Sequence, residues 1–522
     1  MGGDSILAIQ IIAKANQAGI KLTPKQLFEN QTIVELAAVA TTETTSTAGQ
    51  GLVTGSIPLT PIQKWFFELN LTNINHFNQS VLLETKQDLD LEVLQSAVRQ
   101  LLIHHDALRI KFAPSDSGWS QYSSDVIPTI DIQQVNLSNL SGSEQRKAIA
   151  QESDSLQSSL DITQDLLIKI AYFGLGEKGD RLLIIIHHLL IDGISWRILL
   201  EDLQTVYQQI SNNREIQLPA KTTSYQEWSK YLTTYAQDSL SSSIDYWLKQ
   251  NKYSDYSLPI DKKLDNNNFT QKQIVKITLD REYTQALLQD SDKTYNTQIN
   301  DLLLTALVKT FAQYTNRYYL SIDLESQGRT LTETNLDISR TVGWFTNIYP
   351  VLLDLNNTDE LAENIKTIKE QLRQAQRHSF EYGIIRYLQD NRLIDELPAA
   401  PISFNYLGQF DNLLAASSLF KLAEESTGLN SAAGNKISHA IAINSSIVNG
   451  QLKMQWSYDA ERYQEKTIVN LANSYISKLQ QIITHCQTNI GSYTPSDFSL
   501  AESELEQDII NSILDTVNFS DR

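Results

Sequence analysis

The 522-residue sequence predicts a mixed α/β fold in two or three domains. Three observations carry that expectation. The length exceeds what one compact core holds. Strand-like and helical segments alternate from about Ile57 to Cys486, the pattern of helices packed on sheets. Asn449-Gly450, set in an alternating stretch from Ile441 to Tyr458, reads as a tight hairpin.

The elements follow in order. After Gly2-Gly3-Asp4-Ser5, the apolar residues Ile6, Leu7, Ile9, Ile11 and Ile12 recur at helical spacing and stop near Gly19. Pro24 opens a second short helical stretch with Leu27 and Phe28, and Ile33, Leu36 and Val39 mark a third. Thr41 to Gln50 is a low-complexity polar linker. Beyond it, Val81 to Leu83 and Leu167 to Ile170 read as strands, and Leu94 to Ile103 and Ile194 to Ile210 as helices. The polar region Asp261 to Asn268 reads as a connection between two lobes, and a last long helix runs from Glu465 to His485. Tyr493 to Phe498 is a loop. Glu504 to Val517 then places Leu505, Ile509, Ile513 and Val517 about a turn apart, as a packed terminal helix or as a docking helix for a following protein.

Composition narrows the function. Lys and Arg number 42 against 61 Asp and Glu, and a net charge of -19 argues against nucleic acid and anionic membrane as partners. One cysteine, Cys486, excludes an internal disulfide framework and fits a reducing cytoplasm. The 8 histidines show no HExxH-like spacing, so a metal is not expected. No apolar run is long enough to span a bilayer.

The chemistry concentrates at His187-His188-Leu189-Leu190-Ile191-Asp192-Gly193-Ile194-Ser195-Trp196. An apolar run, Leu182 to Ile186, ends on two histidines, and a turn at Asp192-Gly193 precedes a helix. A strand that delivers an imidazole to a turn aims a base into a cleft, and histidine both takes and gives protons near neutrality. In an arbitrary pair of this kind, one ring is buried and hydrogen-bonded and the other exposed.

This pattern resembles the HHxxxDGxSW signature of condensation and epimerization domains of nonribosomal peptide synthetases, and Ser195-Trp196-Arg197 resembles the epimerization branch. Further matches follow in chain order: Pro58 to Phe66, His104 to Arg109, Glu325-Ser326-Gln327-Gly328-Arg329, Arg340 to Pro350, and Phe404 to Phe410. The histidine pair at 104 and 105 lacks a following Asp-Gly turn and is assigned to packing. Where the family has Glu-Gly-His-Gly-Arg, this chain carries Ser326 and Gln327, but keeps the glutamate and arginine. Gly2 to Ile6 resembles the attachment site of a peptidyl carrier protein, whose serine, here Ser5, carries 4'-phosphopantetheine. As a bare motif the serine is an N-cap.

The resemblance implies a partial carrier at 1–42, a linker at 43–56, an epimerization domain at 57–488 and a C-terminal linker or docking helix at 489–522. It implies two chloramphenicol-acetyltransferase-like lobes in a V, about 57–255 and 256–488. The reaction implied is L-to-D inversion of an aminoacyl or peptidyl thioester, with His188 and Glu325 as the two proton-transfer groups. Asn405 and Tyr406 would line the site, and Asp192 and Arg329 would act there directly or as a salt bridge that fixes the turn. Implied partners are a peptidyl carrier, an upstream adenylation domain and a downstream condensation domain or synthetase. An amide-forming condensation domain and a catalytically silent carrier-binding domain are the alternatives.

Overall fold

The computed structural model describes residues 11–498 except 13, 17, 23–25, 28–29, 31, 43–47, 117, 165, 177–178, 239, 263–271, 292–293, 330–335, 390–391, 410–416 and 490. Ser5 and Glu504 to Val517 lie outside the described residues, as does most of the polar connection at Asp261 to Asn268. Local chemistry sets the helix at Ile33–Val39. Thr32 takes the amide of Glu35 on its side chain while the Glu35 carboxylate takes the Thr32 amide, a reciprocal cap.

The first lobe opens with β1 (Gly55–Ile57), β2 (Asn78–Thr85), β3 (Ile110–Ser115) and β4 (Gly118–Ser123). It continues with β5 (Ile132–Asn136), β6 (Ile168–Gly174) and β7 (Arg181–His187). Strands β1, β4 and β3 form a small antiparallel sheet. The main sheet has β7 at its centre, with β2 on one side and β6, then β5, on the other. Every residue of β7 is buried. Leu182, Ile184 and Ile186 enter the large core, while Leu183 and Ile185 enter a smaller one with Ile149 and Leu156 of the helix Gly142–Ser158. A one-residue slip would exchange the two faces, so packing on both sides locks the register that ends at His187.

The second lobe contains β8 (Lys272–Thr278), β9 (Tyr319–Ser326), β10 (Asn347–Asp354), β11 (Ile402–Gln409), β12 (Phe420–Leu422), β13 (Ile441–Val448) and β14 (Gln451–Asp459). Six of them form a mixed sheet in the order β10-β9-β11-β13-β14-β8. Asn449 and Gly450 turn β13 into β14 with φ of 55° and 69°, the left-handed conformations that a two-residue hairpin turn needs. Helices Ile299–Thr315, Leu361–Tyr387 and Glu465–Thr488 supply Leu303, Leu307, Ile365, Ile368, Leu479 and Ile482 to the core. Strand β12 crosses over and pairs antiparallel with β2, Phe420 opposite Thr85 and Leu422 opposite Leu83. Pro495–Asp497 forms a short 3-10 turn pinned by Lys369, whose ammonium meets both Asp497 carboxylate oxygens at 2.7 and 2.8 Å. Among the described residues no helix is long and apolar enough to cross a membrane.

Candidate active site

His188 is the first residue past β7. Its amide donates to the carbonyl of Phe77 at 2.9 Å, and residues His188–Leu190 make one 3-10 turn. Asp192 then caps the helix Gly193–Ser211 by accepting the Ser195 amide at 2.7 Å. The His188 ring lies between Phe77, stacked at 5.5 Å, and Trp344, at 4.2 Å between centroids. Nδ1 faces the Ile191 carbonyl at 2.8 Å, and Nε2 faces the side-chain amide of Gln79 at 2.9 Å. Burial lowers its pKa, against the backbone hydrogen bonds and the charge of Asp192, so the ring is held neutral. His187 has no exposed surface. Its Nε2 meets the Ile74 carbonyl at 2.9 Å, and burial pushes its pKa down to about 3.

Asp192 and Arg329 form a buried ion pair at 3.2 Å, the salt bridge anticipated from sequence. Arg329 also donates to the Ile338 and Thr341 carbonyls and to Ser195 Oγ, and lies 4.0 Å over the Phe345 ring. Asp192 takes the Phe345 amide as well, at 3.1 Å. The pair therefore ties the turn after His188 to the segment after Glu325. Gly328 between them has φ +63°, and a Cβ there would lie 1.7 Å from the Phe345 carbonyl oxygen, so only glycine fits.

Glu325 occupies the end of β9, opposite Ile348 of β10. The parallel pairing of β9 with β11 sets Phe404 beside Leu324, and Asn405, next along, donates to Glu325 Oε2 at 2.6 Å. Desolvation by the surrounding protein pushes the Glu325 carboxyl up to about 7, with His439 opposing and Asp323 adding to the shift, although the residue keeps exposed surface. Tyr406 follows Asn405 on β11, half-buried and opposite Ser445 of β13.

The earlier histidine pair is a packing feature. His105 Nε2 meets Asp202 at 3.0 Å, and Arg340 takes the other Asp202 oxygen. Sequence reading missed four neighbours of the site: Gln79, Phe77, His439 and Asp323. His439 Nε2 lies 2.8 Å from Asp323. Gln79 sits in no motif, and only its register opposite Ile186 brings it to His188. Trp344 belongs to the stretch Arg340 to Pro350, but nothing local marks it as a stacking partner.

Residues 53–502 match the Condensation domain family, and residues 1–40 match the phosphopantetheine attachment site family. A linear gramicidin synthase of Brevibacillus parabrevis is 44% identical over 96% of this chain and 7% of its own length. Tyrocidine synthase 1 of the same organism is 38% identical over 97% of this chain and 48% of its own length. The chain thus spans less than half of these relatives. The epimerization domain from the third module of tyrocidine synthetase B superposes with a TM-score of 0.78 at 34% identity, over 84% of this chain and 98% of that one. The X-domain from teicoplanin biosynthesis shares the fold at a TM-score of 0.66 and 20% identity, over 84% of this chain and 97% of that one. A two-lobed α/β fold with an HHxxxDG turn, preceded by a phosphopantetheine attachment region, places the chain in the condensation-domain family of nonribosomal peptide synthetases.

Proposed function

We propose that the two-lobed domain is an isomerase that inverts the α-carbon, L to D, of an aminoacyl or peptidyl thioester carried on phosphopantetheine at Ser5. The observation that carries this reading is the second proton-transfer group. Amide formation calls for one base at the attacking amine. Inversion needs a proton removed from one face of the α-carbon and returned to the other. His188 offers a lone pair on a neutral ring, and Glu325, on a strand of the other lobe, has a carboxyl pushed up to about 7, so it is partly protonated at neutral pH. A neutral imidazole and a carboxyl raised toward neutrality are suited to exchange roles as acid and base.

The phosphopantetheine arm supplies the thioester, whose carbonyl acidifies the α-hydrogen. The chain's own residues do the rest. His188 Nε2 accepts the α-proton while Nδ1–H stays on the Ile191 carbonyl, which holds the ring in plane. Glu325, oriented by Asn405, delivers a proton from the opposite side, and the two exchange roles for the reverse substrate. Asn405 and Tyr406 are the donors assigned here to negative charge on the thioester oxygen. Asp192 and Arg329 hold the two groups in place. The carrier, an upstream adenylation domain and a downstream condensation domain are the partners this reaction requires, in the cytoplasm.

The test is deuterium uptake from D₂O into a carrier-bound aminoacyl thioester, with chiral analysis of the released amino acid. His188→Ala should lose both exchange and inversion. Glu325→Gln should lose inversion and retain exchange with retention from one face. Full inversion by Glu325→Gln from both enantiomers would remove the two-group mechanism. Amide formation by the wild type in place of inversion would assign the condensation reaction.

A further inference from the structure

Gln79 of β2 is fixed from both ends of its amide. The indole N–H of Trp196 lies 2.9 Å from Gln79 Oε1, and an indole nitrogen only donates, so the oxygen end must face it. The NH₂ end is thereby turned to His188 Nε2 at 2.9 Å. An amide NH₂ also only donates, so this contact exists only while Nε2 keeps its lone pair. The Ile191 carbonyl only accepts, and it lies 2.8 Å from Nδ1, so the ring proton is there. Trp196, Gln79 and Ile191 together select one of the three protonation states open to the ring.

We propose that Gln79 is a positioning residue for His188: it holds the Nδ1–H tautomer and covers the Nε2 lone pair until the α-hydrogen of the substrate displaces it. The proposal rests on reading His188 as a proton-transfer group. When Nε2 takes a proton, two N–H groups would face each other. Gln79 must then turn its amide over and give up Trp196. The amide therefore opposes the charged ring and favours return of the proton. The other groups around the ring do not replace this control. Phe77 and Trp344 cover its faces with apolar surface. His187 beside it is buried and neutral, and the charge of Asp192 is matched by Arg329.

The test uses the full chain labelled with ¹⁵N-histidine, with His188→Gln assigning the ring signals. In the wild type at pH 7, Nδ1 should carry the proton and Nε2 none. Gln79→Leu removes the donor, so the ring should titrate about one unit higher, while the Ile191 carbonyl still keeps the neutral ring's proton on Nδ1. Gln79→Glu places an acceptor at Nε2 and should raise the titration further, so that both ring nitrogens carry a proton at pH 7. Trp196→Phe keeps an aromatic ring in place, frees the amide to rotate and should shift the titration in the same direction by less. Folding of each variant is checked by its thermal transition. In α-hydrogen exchange, the acid limb of the pH profile should move up with the ring titration, a one-unit shift lowering the rate about tenfold at a pH below both titrations. A wild-type proton on Nε2, or ring signals unchanged in both Gln79 variants, would overturn the proposal. A ring that responds as described in a protein that exchanges no α-hydrogen would sustain the positioning and remove the epimerization reading instead.

Discussion

His187 is sealed against the Ile74 carbonyl, whereas its neighbour His188 is stacked between two aromatic rings with Nε2 turned toward the side of Gln79. The difference assigns packing to one ring and proton transfer to the other. His187→Ala opens a cavity and frees a buried carbonyl, so it should lower stability by about 2–4 kcal/mol in denaturant titration. His188→Ala should abolish exchange at a smaller cost in stability. The Glu325 carboxyl is raised from 4.5 to about 7 by its surroundings. Its protonated form is thus favoured in the folded state. The associated stability is fully present below pH 4.5 and is lost as pH rises through about 7. Glu325→Gln keeps the neutral form at every pH. Because the residue keeps exposed surface, solvent screens much of this effect, and the variant should melt only slightly higher than wild type at pH 8 and equally at pH 4, although it no longer inverts substrate. A lower melting temperature at pH 8 would mean that the surroundings favour the carboxylate.

At the scale of elements, the Asp192–Arg329 pair joins the first turn of one lobe's helix to the loop that follows β9 in the other. Removing one partner leaves the other charge buried, so Arg329→Leu should cost about 3–5 kcal/mol. Asp192→Asn with Arg329→Leu should cost less than the two changes added, in a double-mutant cycle of denaturation midpoints. Additive costs would show that the charges do not sense each other. Much of this architecture was legible in the sequence. Ile194 to Ile210 lies inside the helix Gly193–Ser211, and Asn449-Gly450 makes the hairpin, because helical spacing and turn chemistry are local. Glu325 and Arg329 were legible as parts of a motif. Asn405 was placed beside the site by its motif, but its bond to Glu325 depends on the parallel alignment of β9 and β11, across 80 residues of chain. Gln79 was not legible at all. Its meeting with His188 follows from cross-strand register, which no local pattern encodes.

Across the whole molecule, two distant segments are tied back to the body. Lys369, with a side chain only 1% exposed, holds Asp497, and Thr494 donates its amide to the same carboxylate at 2.8 Å. Ending the chain after Phe498 should leave the melting temperature and inversion nearly intact. Asp497→Ala strands a buried ammonium and should lower stability by about 3–5 kcal/mol. A truncation after Phe498 that unfolds the domain would show that residues past 498 are structural. Strand β12 ties the second segment by occupying the free side of β2. A first lobe produced without residues 420–422 would present a bare strand edge, with unpaired amides and carbonyls available to any other chain. Edge-to-edge association, rather than a soluble half-enzyme, is the outcome to expect of such a dissection. For the same reason the halves cannot melt separately, and calorimetry of the intact domain should show a single transition.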